Sequence, residues 1–578
     1  MRLQEYWGVG PKTAEQLTST IGTEAAIDAI ESGDIRALTN AGLSRGRVTA
    51  ILRRAADEDA VEILATRDTQ AVYKQLLGLA TEYAVTERAA DQLLVLTPLR
   101  SREQIEARLD SLETAVQSWQ SLDRDEQAAV CAIFERYDSL AGDRAAVTTA
   151  LELHETGLDE GIFESVAAID PELLAEAVAA MGHLSDGEVV EGADERLDRL
   201  RATRDDIVEL EGGALDVLEA VRERGVRAED EFQRAVVQYL ARETDVDLDT
   251  IRRAAPDEAA DAADFVGSTL RALAADIRAD VAAREQTVRE ELSTRLETAA
   301  EAVESAVATV DHVAMHVSLA RFAIDLELTR PTICDDGHTL AFEAGRNLGV
   351  ATTPEQTVQP VDYAIGDHEI AGLPSGEQVA VVTGANSGGK TTLLETACQI
   401  AILGAMGLPV PAARAEVSRF DTIVFHRRHA SFNAGVLEAT LKSVVPPLTG
   451  PGRTLMLVDE FEAITEPGSA AAMLHGLVNL VVEQDSIGVF VTHLAGDLEP
   501  LPEAARIDGI FAEGVDADLE LVVDYQPRFH TLGRSTPEFI VSRLVADASE
   551  PSERVAFAAL ADSLGAEVVQ RTLEEDWR

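Results

Sequence analysis

The ten residues Thr383–Thr392, TGANSGGKTT, decide the fold of the C-terminal half of the chain. They follow a short apolar run and precede a segment with the apolar periodicity of a helix. The glycines allow successive backbone N–H groups to converge on one point, and a helix N-terminus at that point favours an anion. This spacing, G-x-x-x-x-G-K-S/T between a strand and a helix, is typical of a loop that holds the phosphates of a nucleotide.

The polar residues of this loop have separate expected roles. The Lys390 ammonium would contact the β- and γ-phosphates, and the Thr391 hydroxyl would bind Mg²⁺. ATP and Mg²⁺ are therefore the expected cofactors. The predicted nucleotide-binding residues are Gly384, Ala385, Asn386, Ser387, Gly388, Gly389, Lys390, Thr391 and Thr392.

Two later apolar runs, TLMLVD and IGVFV, also end in polar residues. Apolar runs of this length, separated by helical patterns, predict buried parallel strands in a doubly wound α/β sheet. At the end of the first run, Asp459 is expected to hold Mg²⁺ together with Thr391, and Glu460 to polarise the attacking water. His493 follows the second run and is expected to sense the γ-phosphate. Glu460 and His493 are thus the predicted catalytic residues.

Residues 1–58 contain two similar turns, each with glycines just before a predicted helix. The pattern resembles a paired helix-hairpin-helix, whose turn glycines let backbone N–H groups approach DNA phosphates. Pro11 suits the first turn of one helix, and Ser44 suits the N-cap of the other. The predicted DNA-binding residues are Gly8, Gly10, Lys12, Gly42, Arg45, Gly46 and Arg47. The alternative is that the two turns only pack a small helical bundle.

Residues 59–330 are rich in Ala, Leu, Glu and Arg and predict a helical region. Within it, apolar residues recur in steps of three, four and seven, which places them on one face of a single long helix. This stripe comprises Leu270, Leu273, Ile277, Val281, Val288, Leu292, Leu296, Val303, Val307 and Val310. The stretch 187–242 would run antiparallel to this helix as a coiled-coil lever or clamp arm. The alternative is an ordinary helical bundle.

The chain is strongly acidic: its 578 residues include 103 acidic and 49 basic side chains, a formal net charge of −54. Acidic residues spread along a whole chain are typical of a surface adapted to concentrated salt, where charges are screened within about 3 Å. The charge therefore indicates a halophilic source and does not exclude DNA; the alternative is an acidic protein that binds basic partners. The three cysteines form no CxxC pair, and we find neither a signal peptide nor a membrane span, so we expect a cytoplasmic protein.

Several motifs together resemble the ATPase half of the MutS family, the dimeric ATPases of DNA mismatch repair. Residues 383–395 are similar to that family's phosphate loop, T-G-P-N-x-G-G-K-S/T, including the asparagine and the doubled glycine. Residues 403–427 resemble the segment that follows this loop, and residues 532–544 resemble the closing segment. The passage DEFEAITEPGSAAAML is similar to the form found in the branch without a mismatch-reading domain.

The resemblance implies a homodimer in which each subunit offers a signature segment to the nucleotide of the other. Ser431 and Phe432 occupy the place of that signature, and Ala430 departs from the usual serine. Residues 462–464 replace a glycine-rich loop. No mismatch reader is visible, so the expected partner is duplex, mismatched or branched DNA. We expect no intrinsic nuclease activity, because the sequence leaves no room for the small nuclease domain of some relatives.

These observations predict a multidomain chain with four parts. They are a helix-hairpin-helix unit at 1–58, a helical core and lever with clamp arms at 59–330, a MutS-type phosphate-loop ATPase at 331–545 and a helical dimerisation segment at 546–578. The predicted function is a dimeric Mg-ATPase clamp on DNA in repair or recombination. The alternatives are an SMC- or ABC-type ATPase, whose LSGGQ-like signature we do not find, and a nucleotide-gated scaffold that docks proteins and hydrolyses little ATP.

Overall fold

The computed structural model describes residues 3–139, 142–185, 187–223, 228–335, 338–354, 357–384, 389–428, 434–450, 452–460, 467–498, 500–515, 521–533, 541, 544–545, 548, 550 and 552–560. The chain divides into two compact units. The first unit comprises Met1–Cys131, Glu160–Ile162 and Asp311–Arg578, and the second comprises Ala132–Asp159 and Phe163–Val310. Most of the described residues are helical, and the large sheets lie in the first unit. None of the helices in the described ranges is both long enough and apolar enough to cross a lipid bilayer.

Five short helices begin the first unit: α1 Pro11–Ile21, α2 Thr23–Glu31, α3 Ile35–Asn40, α4 Arg45–Ala56 and α5 Glu58–Glu62. The apolar faces of α1 to α4 meet in one core that includes Leu17 and Ile51. The turns before α1 and α4 contain Gly8 and Gly42, whose φ angles of 78° and 90° suit glycine. Ser44 occupies the N-cap position of α4 as predicted, but its side chain makes no capping hydrogen bond.

Three further helices follow in the first unit: α6 Arg67–Thr81, α7 Glu87–Leu94 and α8 Arg102–Ser121. Thr66, Thr86 and Ser101 cap their N-termini by accepting hydrogen bonds from backbone N–H groups three residues on. The Thr69 hydroxyl of α6 lies 3.2 Å from the carbonyl oxygen of Ile423, a residue of the α/β region. Helix α6 therefore packs directly against that region.

The second unit is a helical bundle. Its helices are the end of α9 Arg124–Asp138, then α10 Asp143–Glu155, α11 Glu164–Ala167, α12 Pro171–His183, α13 Glu195–Gly212, α14 Ala214–Arg222, α15 Glu229–Thr244, α16 Leu248–Ala254 and most of α17 Ala262–Asp325. The predicted stripe lies on α17, a helix of 64 residues. Leu296 and Val307 of this stripe are half-buried, and the other members are buried, which confirms the single long helix.

The stretch 187–242 does not form a single coiled-coil arm, which was one of the two structures proposed for it from the sequence. It contains α13, α14 and most of α15, and these pack on α17 through a core that includes Ile207, Val217 and Val236. The bundle alternative is therefore correct for this stretch. At the start of this stretch, β1 Leu184–Ser185 and β2 Glu188–Val189 pair antiparallel.

The main sheet of the first unit has six strands in the order β12-β11-β6-β10-β9-β8. These are β6 Val379–Gly384, β8 Thr422–His426, β9 Thr454–Asp459, β10 Ile487–Val491, β11 Ala505–Val515 and β12 Leu521–Arg528. Neighbouring strands are parallel except for β11 and β12. Strands β6, β9 and β10 are the three apolar runs identified in the sequence. Because they are parallel, their carboxyl ends meet at one edge of the sheet.

A second sheet in the same unit was not predicted. Its order is β3-β7-β4-β5, with β3 Thr332–Cys334, β4 Thr339–Gly345, β5 Val361–Gly366 and β7 Arg414–Ser418. The remaining helices are α18 Leu348–Ala351, α19 Lys390–Ala405, α20 Ala434–Thr449 and α21 Pro467–Glu483. Helix α19 contacts both sheets, which explains why nearly all of it is buried. Helices α20 and α21 cover the other face of the six-stranded sheet through a core that includes Val444, Leu474 and Met456.

Candidate nucleotide site and DNA interface

The predicted phosphate loop lies between the end of β6 and the start of α19. Gly384 ends β6 with a φ of 138°, and a Cβ there would overlap the carbonyl oxygen of Ile510. Gly389 is the N-cap of α19 with a φ of 74°, and a Cβ there would stand 2.7 Å from the Tyr525 ring. Both positions therefore require glycine. The other predicted loop residues lie outside the described part of the chain: Ala385, Asn386, Ser387 and Gly388.

Lys390 is the first residue of α19, and its side chain reaches back across the loop. Its ammonium donates a hydrogen bond to the Gly384 carbonyl at 2.9 Å, although the residue is only 4% exposed. The backbone N–H groups of the first helical turn already favour an anion at this point. A buried ammonium beside them strengthens the positive potential. Thr391 and Thr392 follow in the same turn, exposed and half-buried respectively.

Thr391 and Asp459, the two residues predicted to hold Mg²⁺, are in direct contact. The Thr391 hydroxyl donates to Oδ2 of Asp459 at 2.7 Å. Burial raises the pKa of Asp459 above its usual value, while the hydrogen bond from Thr391 acts in the opposite direction. Among the described residues, Oδ1 of Asp459 is buried and has no hydrogen-bond partner, so it is an acceptor that a cation would satisfy.

These two side chains fit Mg²⁺, which usually takes one or two protein ligands and completes its octahedral shell with phosphate oxygens and water. They do not form a cage for a metal without a nucleotide. Within the described ranges, no group of three or more His, Cys, Asp or Glu side chains could hold a metal ion. The donor set therefore favours a cation that arrives with phosphates.

Glu460 follows Asp459 and has a φ of 43°, a left-handed conformation that is strained for a non-glycine residue. Its backbone N–H donates to the Val491 carbonyl at 2.9 Å, which fixes the turn at the strand end. Oε1 of its carboxylate lies 3.1 Å from Nε2 of His493, and Oε2 lies 2.6 Å from Nη1 of Arg428. The structure therefore brings the two predicted catalytic residues into contact.

Arg428 was not identified from the sequence. It lies just after β8, the strand next to β9, so parallel pairing brings it to the same sheet edge as Glu460. The available indication was a pair of arginines, Arg427 and Arg428, directly after an apolar run. That run, TIVFH, is a short apolar run followed by polar residues, as are the strands that were predicted.

A cavity of about 500 Å³ adjoins the phosphate loop. Its lining includes Lys390, Thr391 and Glu460, together with Asn347 and Tyr525. The volume lies within the range of roughly 300–1,000 Å³ that small-molecule sites occupy. The Tyr525 ring is 40% exposed and lies against Gly389, so the cavity has an aromatic wall beside the loop. Tyr525 is a second residue that the sequence did not point to.

Part of the predicted site falls on residues that the structure does not describe. Ser431 and Phe432, expected to contact the nucleotide of the other subunit, are among them, as is Ala430. The altered loop at 462–464 is also outside the described residues, and 546–578 is described only at 548, 550 and 552–560. Predictions for these positions stay predictions.

The glycines of the predicted DNA interface form the turns before α1 and α4. A Cβ at Gly8 would stand 3.2 Å from Cγ1 of Ile51, so the first turn packs closely on α4. Gly10 is the N-cap of α1, and the exposed Lys12 lies in the first turn of this helix. Gly42 precedes α4, and Gly46 lies in its first turn. Both helices therefore begin at glycine-containing turns, as predicted.

The two predicted arginines are engaged within the protein. Arg45 forms an ion pair with Asp91 of α7 at 2.6 Å. Arg47 donates to the Gly8 carbonyl at 3.1 Å and to the Thr13 hydroxyl at 2.6 Å. Arg47 of α4 therefore stabilises the turn before α1. The sequence did not indicate this structural role.

The N-terminal helices differ in charge from the rest of the chain. Residues 1–56 contain seven basic and six acidic side chains, a net charge of +1. All other residues together carry −55, which gives the total of −54. The acidic character of the chain is thus interrupted in the segment that carries the two glycine turns. A surface that approaches phosphates requires such an interruption.

No protein-family model matches the chain. The sequence is 45% identical over 217 residues to the DNA-binding protein MutS2 of Pyrococcus furiosus, an alignment that covers 37% of each chain. It is 30% identical over 364 residues to the DNA mismatch repair protein MutS of Natronomonas pharaonis, covering 58% of this chain and 40% of the relative. The chain is a relative of the MutS and MutS2 proteins.

The relationship to MutS confirms the resemblance predicted from the motifs, and the similarity to a MutS2 is consistent with the predicted branch. A second MutS relative, DNA mismatch repair protein MutS 2 of Halobacterium salinarum, is 31% identical over 364 residues, covering 58% of this chain and 39% of the relative. The chain spans about two fifths of the length of these relatives. Halophilic archaea among the sources fit the salt-adapted surface predicted from the charge. Other relatives carry the name Endonuclease MutS2.

Proposed function

We propose that the chain is a Mg²⁺-dependent ATPase of MutS type that binds DNA as a homodimer and acts in DNA repair or recombination. The observation that carries the proposal is the 2.7 Å hydrogen bond between Thr391 and Asp459. It joins the first turn of α19 to the end of β9, beside the buried ammonium of Lys390. A hydroxyl and a carboxylate that share Mg²⁺ next to nucleotide phosphates need this arrangement.

The residues around this contact have separate roles in the proposed hydrolysis. Lys390 and the N–H groups at the start of α19 hold the phosphates. Thr391 and Asp459 hold Mg²⁺, which neutralises charge on the transferred phosphoryl group when it is bound. Glu460 orients and polarises the attacking water, and His493, which contacts Glu460, senses the γ-phosphate.

The base of the nucleotide is proposed to lie in the adjoining cavity against Tyr525. The ring is partly exposed and held against Gly389, so it offers an aromatic face near the phosphates. Stacking on an aromatic side chain binds a base through its π-face. Through this role of Tyr525, strand β12, which was not among the predicted strands, contributes to the site.

The proposed assembly is a homodimer whose two nucleotides lie between the subunits. Each subunit offers Ser431 and Phe432 to the nucleotide of the other, so that ATP binding favours a closed state of the dimer. The proposed domains are the N-terminal unit at 1–58, the helical core and lever at 59–330, the ATPase at 331–545 and a dimerisation segment at 546–578. The resemblance to MutS supports the ATPase part of this division.

The N-terminal unit is proposed to be a paired helix-hairpin-helix that contacts the DNA backbone. Its glycine turns, the exposed Lys12 and the net charge of +1 over residues 1–56 support this role. Contacts through backbone N–H groups release fewer counterions than a basic patch, so they are less weakened by concentrated salt. Duplex, mismatched and branched DNA are all candidate partners. A steep decline of DNA affinity with salt, equivalent to many phosphate contacts, would count against backbone-mediated binding.

ATP turnover by the full chain tests the enzymatic part of the proposal. We expect Glu460→Gln to bind nucleotide normally and to lower turnover by about 100-fold or more, since a lost general base typically reduces rates by roughly 10²–10⁴. Asp459→Ala should instead weaken Mg²⁺-dependent nucleotide binding. Glu483→Gln, at the exposed end of α21, is the matched control and should keep full turnover. Unchanged turnover in Glu460→Gln would refute the assigned role.

A second candidate function is a nucleotide-gated scaffold that binds ATP and hydrolyses little of it. The observation that favours it is that both carboxylate oxygens of Glu460 are engaged, one by His493 and one by Arg428. Turnover below about one per hour, with normal nucleotide binding and unaffected by any DNA, would select the scaffold over the enzyme.

Nuclease activity is not part of the proposal, although some relatives are named endonucleases. Incubation of the chain with supercoiled plasmid and Mg²⁺ or Mn²⁺ tests this directly. We expect no nicked product above that seen with the Asp459→Ala variant, which serves as a preparation control. Nicking that both proteins share would indicate a contaminant or a second metal site.

A further inference from the structure

Trp7 lies directly before the first glycine turn, and 45% of it is exposed. An exposed indole ring beside a proposed DNA-binding turn offers a large aromatic face to a ligand. The guanidinium carbon of Arg54, in the last turn of α4, lies 4.2 Å from the centroid of the indole ring. The ring is therefore partly covered by a cation and partly open to solvent.

One face of α4 holds this part of the chain in place. Arg47, Ile51 and Arg54 follow one another at helical steps of four and three, so they lie on the same side of the helix. Arg47 bonds the Gly8 carbonyl, Ile51 packs on Gly8, and Arg54 lies over the ring of Trp7. Three successive contacts thus fix the backbone and the indole ring before any ligand arrives.

A fixed aromatic ring suits stacking on a nucleic-acid base. Stacking on an aromatic side chain requires a base whose face is accessible, as in single strands, gaps and branch points. It gains free energy without neutralising phosphate, so salt weakens it less than it weakens ionic contacts. The Arg54 guanidinium adds a planar cation to the same surface, and Arg can stack on bases as well.

We propose that Trp7 and Arg54 form a stacking platform for an unpaired DNA base, next to the turn that approaches the phosphate backbone. This inference rests on the proposed DNA-binding function and extends it, because it names the preferred DNA. The chain then binds DNA with unpaired bases more tightly than continuous duplex. The charge of +1 over residues 1–56, against −55 for the rest, supports a nucleic-acid occupant at this surface.

Binding of fluorescently labelled DNA to the full chain tests the platform. The probes are a blunt duplex of about 20 base pairs, the same duplex with a gap of a few thymidines, and an oligothymidine strand. We expect wild type to bind the gapped and single-stranded probes more tightly than the duplex. Trp7→Ala should weaken these two by roughly 5- to 100-fold, the range given by one stacked base. It should change duplex binding less than about twofold.

Two variants control for effects on folding and on surface hydrophobicity. Trp7→Phe keeps an aromatic face and should retain most of the preference for unpaired DNA. Leu215→Ala removes another exposed apolar side chain, 69% exposed, from α14 and should have no effect. Intrinsic fluorescence adds a direct readout, because the chain has only two other tryptophans, Trp119 and Trp577. Oligothymidine should quench wild type more strongly than Trp7→Phe.

The possible negative results distinguish the stacking platform from the DNA-binding function on which it rests. Duplex binding by wild type without any preference for unpaired DNA would overturn the platform and leave the DNA-binding proposal intact. An equal loss on all three probes in Trp7→Ala would also overturn it, since that indicates a general role in folding or backbone contact. Failure of wild type to bind any of the probes would overturn both.

Discussion

Nη1 of Arg428 lies 2.6 Å from Oε2 of Glu460, the residue that we propose to polarise the attacking water. The two residues follow neighbouring parallel strands, β8 and β9, so the contact depends on the pairing of those strands. His493 occupies the other carboxylate oxygen. Arg428 and His493 therefore compete with the attacking water for the lone pairs of the Glu460 carboxylate.

Removal of the Arg428 side chain is expected to release Glu460. We predict that Arg428→Ala raises ATP turnover without DNA by roughly 2- to 10-fold, because a charged contact that is partly exposed is worth on the order of 1 kcal/mol. Arg428→Lys should stay close to wild type, since it keeps the charge. Steady-state turnover with saturating Mg²⁺ and ATP is the measurement. A decrease in Arg428→Ala would show instead that Arg428 contacts the phosphates.

Gly384 is the position where a side chain is least tolerated in the phosphate loop. We predict that Gly384→Ala reduces stability by at least about 2 kcal/mol and abolishes nucleotide binding, because its Cβ overlaps the Ile510 carbonyl at a φ that disfavours L-residues. Gly476→Ala is the control, since a Cβ there meets nothing within 4 Å in helix α21. It should stabilise the protein slightly. Urea unfolding and nucleotide titration of both variants measure the difference.

A buried ion pair beside the loop is expected to dominate local stability. Arg506 and Asp508 of β11 are 3% and 0% exposed and lie 3.0 Å apart, and Tyr363 also donates to Asp508. We predict that Asp508→Ala lowers the free energy of unfolding by about 3–5 kcal/mol, because it leaves the guanidinium buried without its main carboxylate. The combined change of Arg506→Met and Asp508→Leu should be less harmful.

Urea unfolding of Arg506→Met, Asp508→Leu and the combined variant measures this coupling as a double-mutant cycle. The order of stability, with the combined variant above Asp508→Ala, is the decisive result. Losses that simply add would show that the pair does not act as a unit. Because β11 carries Ile510 against Gly384, nucleotide affinity should fall together with stability in Asp508→Ala.

His316 of α17 is expected to make stability fall in acid. Its Nδ1 donates to the His312 carbonyl at 2.8 Å, so in the neutral ring Nε2 accepts from the Ser111 hydroxyl at 2.7 Å. Burial lowers the pKa of His316 below its usual value. The unfolded chain therefore binds a proton near pH 6.5 that the folded chain does not bind, and stability is lost as the pH falls below about 6.5.

We predict that His316→Gln reduces the loss of stability between pH 7 and pH 5 relative to wild type. The free energy of unfolding, measured in urea at several pH values, provides the comparison. An identical pH dependence in His316→Gln and wild type would contradict the assignment.

Much of the candidate site could be predicted because its parts are local. The phosphate loop, the acids after β9 and His493 after β10 each follow a short apolar run, and such runs are recognisable within a few residues. The stripe on α17 was recognisable for the same reason, because helical periodicity repeats along the chain. For the glycine turns, the positive φ angles of Gly8 and Gly42 agree with the residue type that such turns require.

The partners of Arg45 and Arg47 could not be predicted. Both arginines lie in the first turn of α4, which suggested DNA contact, but folding brings Asp91 and the Gly8 carbonyl within reach of them. Those partners lie dozens of residues away, and a residue's spacing within its own helix carries no information about them. The same limitation applied to Arg428 and Tyr525.

The amino-acid sequence alone determined β6, β9 and β10, the glycine turns and the long helix, because these depend on hydrophobic period and on residues with special backbone angles. Only the tertiary structure decided that α19 lies between two sheets and that Tyr525 borders the phosphate loop. It also decided that Glu460 has Arg428 and His493 as neighbours. Strand order determines these contacts, and strand order results from the packing of the whole unit.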